Sequence, residues 1–109
     1  MIYEYREFLI RWMNMERFEQ NMKEFMRFME KHGAKIVGAW TTEVGRRNTY
    51  SYILAFNDWA GREKCMKDLY LDKEFLEGLN AKVKREGPTV ETEYRSIIRP
   101  TDYAPFFKD

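Results

Sequence analysis

The sequence is poor in the residues that build covalent or metal-held structure. Cys65 is the only cysteine and His32 the only histidine among 109 residues. One thiol cannot close an internal disulfide, so a stapled secreted fold is excluded and a reducing compartment, the cytoplasm, is expected. A closed zinc site wants four Cys, His or carboxylate ligands, and His-based versions fail on counting. Ser51, Ser96 and Cys65 have no second histidine with which to build a nucleophilic relay. Long apolar runs are missing as well: none approaches the roughly 20 residues of a membrane span. The opening residues 1–8 lack the shape of a signal peptide. Charge of one sign is also missing. Nineteen Lys plus Arg face eighteen Asp plus Glu, a net +1 that gives no field to gather phosphates. Arg46-Arg47 and the Lys82, Lys84, Arg85 group have acidic neighbours and read as solvated surface. No nucleic-acid partner is expected.

What the chain has in excess is rings. Aromatic residues make up 17% of it. That is more than one thin layer of helices over a sheet readily covers, and it points to a partner surface or a ring-lined pocket.

Alternation of β-formers predicts a strand over residues 2–9, with faces Ile2, Glu4, Arg6, Phe8 and Tyr3, Tyr5, Glu7, Leu9. Asn14 is a candidate N-cap. Met15, Phe18, Met22, Phe25 and Met29 then recur at helical spacing, widened by Met26 and Phe28. His32-Gly33 ends that helix. Residues 35–43 and 49–56 read as strands around turn residues 45–48. Asn57 or Asp58 caps a helix from Trp59 to about Tyr70, and Asp72 caps a second segment with Phe75, Leu76, Leu79 and Val83 on one face. Gly87-Pro88 stops it, and residues 90–98 form a last strand. From about residue 100 the tail is irregular, yet it carries Tyr103, Phe106 and Phe107. The order βαββαβ predicts one α+β domain over 1–109: a ferredoxin-like, four-stranded antiparallel sheet with helices on one face.

Glu4 and Arg6 share a face of the first strand, and Glu91, Glu93 and Arg95 share one of the last. In this topology the two strands are neighbours. Glu4 is expected opposite Arg95 and Arg6 opposite Glu93, on an open polar sheet face suited to cover by a second subunit.

Several segments resemble the NIPSNAP family: the opening Met-Ile-Tyr-Glu-Tyr-Arg, the run from Lys31 to Gly45 followed by Asn48, the helix after Trp59 with Arg62, the Asp72-Lys73-Glu74-Phe75 turn, and Ile97-Ile98-Arg99-Pro100. The likeness spans nearly the whole chain and is most specific from Gly38 to Asn48. Two departures stand out. Arg11-Trp12-Met13-Asn14 lacks a Pro-Gly turn common there, and Phe75 stands where Trp is common. The resemblance implies a dimeric α/β barrel, two ferredoxin-like sheets packed face to face, and so a homodimer. The family has no single agreed activity.

Candidate sites carry bland alternatives. Met22, Met26 and Met29 with Cys65 and Met66 offer soft ligands for copper(I), but the same spacing is a core face, which we favour. His32 at a helix end can cap carbonyls, or either it or a tyrosine, Tyr50, can move protons as a catalytic residue. Tyr3, Tyr5, Trp40, Tyr50, Tyr52 and Phe56 either pack as core or line a cavity between sheet and helices, with Arg6 or Arg95 steadying an anion. Other dimeric α/β-barrel families use such a cavity for hydrophobic metabolites, an analogy of fold alone. Three functions follow: a metal-independent enzyme acting on an apolar or aromatic metabolite, a non-catalytic ligand-binding or scaffold module, or heme handling with His32 as the sole imidazole. No cofactor is assigned. Gly45 is expected in the hairpin turn, and Gly38 either at a bulge or at a close approach by a helix.

Overall fold

The alternation of the first strand sets up the whole architecture. The computed structural model describes residues 1–107. Strand β1 (Ile2–Ile10) lies inside the sheet, between β3 (Thr49–Phe56) and β4 (Val90–Ile98), with β2 (Lys35–Thr41) outside β3. All neighbours are antiparallel. Helix α1 (Met15–Lys31) follows β1, and α2 (Trp59–Leu69) follows β3. A broken helical stretch then runs through α3 (Lys73–Phe75), a π-turn (Leu76–Asn80) and α4 (Ala81–Glu86). This is the expected βαββαβ order.

Local chemistry fixes the ends of these elements. Asp58 caps α2 by accepting the Gly61 amide at 2.7 Å, and Asp72 caps α3 through the Glu74 and Phe75 amides at 3.0 and 3.3 Å. Asn14 precedes α1 but makes no side-chain cap. Its amide donates to the Trp12 carbonyl and its oxygen accepts from Arg17. At the other end Gly33, at φ 104°, closes α1 in the left-handed region, with Gly33 N–H on Glu30 O and Ala34 N–H on Met29 O. The register of β2 against β3 slips between Ile36 and Gly38, which is the expected bulge.

The core lies between the helices and one face of the sheet. Phe8 stacks on Tyr52 at 5.6 Å and meets Phe18 of α1 at 5.3 Å. Leu54, Phe56, Met29, Cys65 and Leu69 are sealed around them. Met22 and Met29 are core residues. The Cys65 thiol touches the Met29 carbonyl at 3.8 Å, and burial pushes its pKa up.

Two expectations about the sheet are overturned. Glu4 and Arg6 do not face the open side: they share the helix side with Phe8, under α2, where Glu4 pairs with Arg62. The cross-strand pairs also differ. Arg6 stands opposite Arg95, Glu4 opposite Ile97 and Phe8 opposite Glu93. The alternation set the faces correctly, but a two-residue difference in register keeps the faces and changes every partner. The charges are paired along each strand instead, Arg6 with Glu4 and Arg95 with Glu93.

The open face carries Tyr3, Tyr5, Glu7 and Leu9 of β1 with their partners Ser51, Ile53 and Ala55 of β3 and Tyr94, Ser96 and Ile98 of β4. The tail folds back over one corner of it, with Phe106 edge-on to Tyr3 at 4.9 Å and Phe107 at 6.1 Å. This accounts for the apolar tail. The molecule is a slab of 43 × 38 × 18 Å, helices on one side and this face on the other. Among the described residues no helix is long and apolar enough to cross a membrane.

Gly45 sits in the β2–β3 turn at φ 133°, and a Cβ there would come within 3.3 Å of the Thr42 methyl. Gly45→Val is expected to lower stability by about 1 kcal/mol or more, a fall in Tm of roughly 4–8 °C for a chain of this size. An unchanged thermal melt would refute the strain at this position.

Candidate functional site

The helix side of β1 holds a polar network inside the core. Glu4 is 1% exposed, and each of its carboxylate oxygens takes one guanidinium. Arg6 Nε lies 2.6 Å from Oε2 and Arg62 Nε 2.5 Å from Oε1. Arg6 also donates from Nη1 to the Tyr52 hydroxyl at 2.9 Å and reaches Met66 Sδ with Nη2 at 4.0 Å. Burial alone would raise the Glu4 carboxyl. The Arg62 and Arg6 guanidiniums outweigh it and hold the group below the usual carboxylate range. Burial also pushes Tyr52 up to about 12, against the opposing pull of Arg6, so its phenol stays neutral. Glu4, Arg6 and Tyr52 are closed off from solvent. Arg62, 24% exposed along its side chain, is the member that reaches water. Beside it, on edge strand β4, Arg95 and Glu93 form an exposed pair at 2.7 Å.

The other expected site residues are dispersed. His32 sits at the end of α1 with Nε2 2.7 Å from Asp72 Oδ2, and Lys31 Nζ meets the same oxygen at 2.8 Å. Lys31 first and His32 second hold the Asp72 carboxyl well below its usual range. This cluster ties α1 to the start of α3 and engages one of the two imidazole nitrogens of His32. Tyr50 lies in the core, edge-on to Phe18 at 5.1 Å, its pKa raised by burial. Tyr5 and Trp40 meet on the open face with centroids 6.3 Å apart, and the Tyr5 hydroxyl donates to Glu7 at 3.0 Å. Tyr3 is under the tail.

Of the expected residues, then, Arg6 and Tyr52 come together beneath the helices, and Tyr5 and Trp40 on the opposite face. His32 and Tyr50 belong to separate environments. A cavity of about 210 Å³ does lie on the helix side, between α1, the π-turn and the start of β4, but Phe18, Met22, Phe75 and Leu79 form its walls, not the strand rings. Sequence reasoning did not find Arg62 as the second guanidinium or Asp72 as the partner of His32, because each contact joins elements far apart in the chain. Among the described residues no group of three or more His, Cys, Asp or Glu is placed to hold a metal ion.

The NIPSNAP family model matches residues 3–105. Protein NipSnap homolog 3A of Pongo abelii is 32% identical over 78 residues, covering 71% of this chain and 31% of its own length. The chain thus spans about a third of that relative. The fold superimposes on a NIPSNAP family protein of unknown function from Agrobacterium tumefaciens, with a TM-score of 0.83 at 21% identity, covering 98% of this chain and 94% of that one. It also superimposes on SnoaB of Streptomyces nogalater, described as a cofactor-independent oxygenase, with a TM-score of 0.63 at 13% identity over 93% of each chain. At those identities the likeness is one of fold.

Glu4→Gln tests the network. Removing the negative charge leaves two guanidiniums facing a neutral amide, and breaking a buried pair typically costs about 3–5 kcal/mol. Because the Glu4 carboxyl titrates lower folded than unfolded, its contribution is present above the ordinary value of 4.5 and is lost as pH falls through the folded pKa. Urea melts should therefore show a large deficit for the variant at pH 7 that shrinks in acid. Equal stability of the two proteins at pH 7 would refute the role given to Glu4.

Proposed function

The chain belongs to the NIPSNAP family, and from that premise we propose that it works as a homodimer, joined through its open sheet faces, that binds a small apolar or aromatic molecule in each protomer. The observation that carries this reading is the bare face of the slab. Trp40 there is 43% exposed and Tyr94 52%, flanked by Ile53 and Ile98 on the same side of the sheet. Between these rings lie Ser51, Glu7 and Ser96, and such a mixed aromatic and polar surface suits a protein partner. Its symmetric occupant is a second copy of the chain, since a twofold axis pairs the same patch of both protomers, the rings of one set against the polar and apolar groups of the other. The face differs from the one first expected, because the helices already cover Glu4 and Arg6.

Binding is placed ahead of catalysis because neither His32 nor Tyr50 lines the apolar cavity between α1 and the π-turn. His32 is held by Asp72, and Tyr50 and Tyr52 are packed into the core with raised pKa values. The second reading, an enzyme acting on an aromatic metabolite, has the fold likeness to SnoaB in its favour. Turnover of such a compound that vanishes with His32→Ala or Tyr50→Phe would put it first. A visible absorption band in the purified protein would support heme handling instead.

Light scattering at micromolar concentration is expected to give twice the 13.3 kDa mass of one chain. Trp40→Asp, which sets a charge on the β2 side of the open face, should shift the mass toward the monomer while the far-UV spectrum stays unchanged. A wild-type mass of one chain would overturn the dimer.

A further inference from the structure

One polar atom in the core has no partner. Asn21 is 9% exposed on α1, between Phe18 and Met22 in the apolar stripe, and its carboxamide Oδ1 is buried with no hydrogen-bond partner among the described residues. An orphaned buried acceptor costs about 1–3 kcal/mol, and native proteins rarely leave one so. Asn21 lines the cavity of about 210 Å³ between α1, the π-turn and the start of β4.

We propose that this cavity is a binding site for a small aromatic compound bearing one hydrogen-bond donor, with Asn21 as the residue that receives the donor. Size, charge and wall chemistry agree. The cavity is half open to solvent, and its volume of about 210 Å³ admits a small ring compound through that mouth. Among the described residues no Lys, Arg, Asp or Glu lines it, so a charged ligand would be left without a counter-charge. Phe18 and Phe75 supply ring faces, and Leu79 and Val83 complete an apolar wall. The wall is shaped by the π-turn of Leu76–Asn80, which sets the consecutive residues Leu79 and Asn80 both against the cavity. Single π-turns of this kind occur often at functional sites.

Such a site presupposes the binding role proposed above, and its test separates the two. Calorimetry on the purified protein would compare indole, which carries one N–H donor, with indene, its near-isostere without one. Indole is expected to bind about tenfold more tightly, the worth of one hydrogen bond to a buried acceptor. Asn21→Leu should erase that preference. Val83→Phe, which fills the cavity with carbon, should abolish indole binding without lowering Tm. If Asn21→Leu does not fold, the indole–indene comparison in the wild type and the Val83→Phe variant still decide. Equal affinity for the two compounds overturns the role of Asn21. Indole binding that survives Val83→Phe overturns the site but leaves the binding role standing. No uptake of indole at millimolar concentration overturns the site, and when Asn21→Leu also raises Tm it assigns the cavity to an ordinary water. Light scattering on the same samples reports the dimer independently.

Discussion

A carboxylate buried between two guanidiniums constrains the helix side of this protein. Glu4 comes from the middle of the sheet, Arg6 from two residues along the same strand, and Arg62 from the first turn of α2. Neither Glu4 nor Arg6 tolerates burial alone, because an unpaired charge in the interior costs several kcal/mol. Forming the pairs therefore requires α2 to lie over β1 in one position. The same guanidinium then holds the Tyr52 hydroxyl, which brings in β3, and touches Met66 one helical turn beyond Arg62. Apolar contacts fill the rest of this layer, but they are less particular about position. The network specifies which residues face which, and the rings of Phe8, Phe18 and Tyr52 pack beside it as part of the apolar core.

A second polar junction works at the edge of the helical layer. Asp72 caps α3 with one oxygen and holds Lys31 and His32 with the other. The end of α1 is thus fastened to the start of the broken helical stretch. Between these fastenings the π-turn widens the helix over the β4 end of the sheet, and the cavity at Asn21 opens there. The polar anchors and the cavity are parts of one arrangement: helices pinned at α2 and at Asp72 leave an incompletely filled space where the pinning stops.

The opposite side of the sheet follows a different logic. Tyr3, Tyr5, Trp40 and Tyr94 are amphipathic rings on a face with no helical cover, and the chain's own tail shields only the corner at Tyr3. A slab 18 Å thick has little volume in which to hide them. The surplus of rings noted in the composition is divided between this face, the tail and the core, so no single pocket gathers it.

The order of strands and helices, the caps at Asp58 and Asp72, the left-handed close at Gly33, the bulge near Gly38 and the family resemblance could all be read from the sequence. Each depends on residues within a few positions of one another, where periodicity and backbone preference act directly. Alternation also grouped Glu4 with Arg6 and Glu93 with Arg95 correctly. It could not say which group faced the helices, because a buried ion pair and a solvated one have the same sequence pattern until Arg62 arrives from another element. Nor could it give the register of β1 against β4, since a shift by two residues preserves every face. The partner of His32, the parting of Tyr50 and Tyr52 from Tyr5 and Trp40, and the isolation of Asn21 were likewise decided by packing between segments distant in sequence. Residue types and spacings determined the elements of this protein; the contacts among them, which alone set burial and pairing, determined what each side chain is free to do.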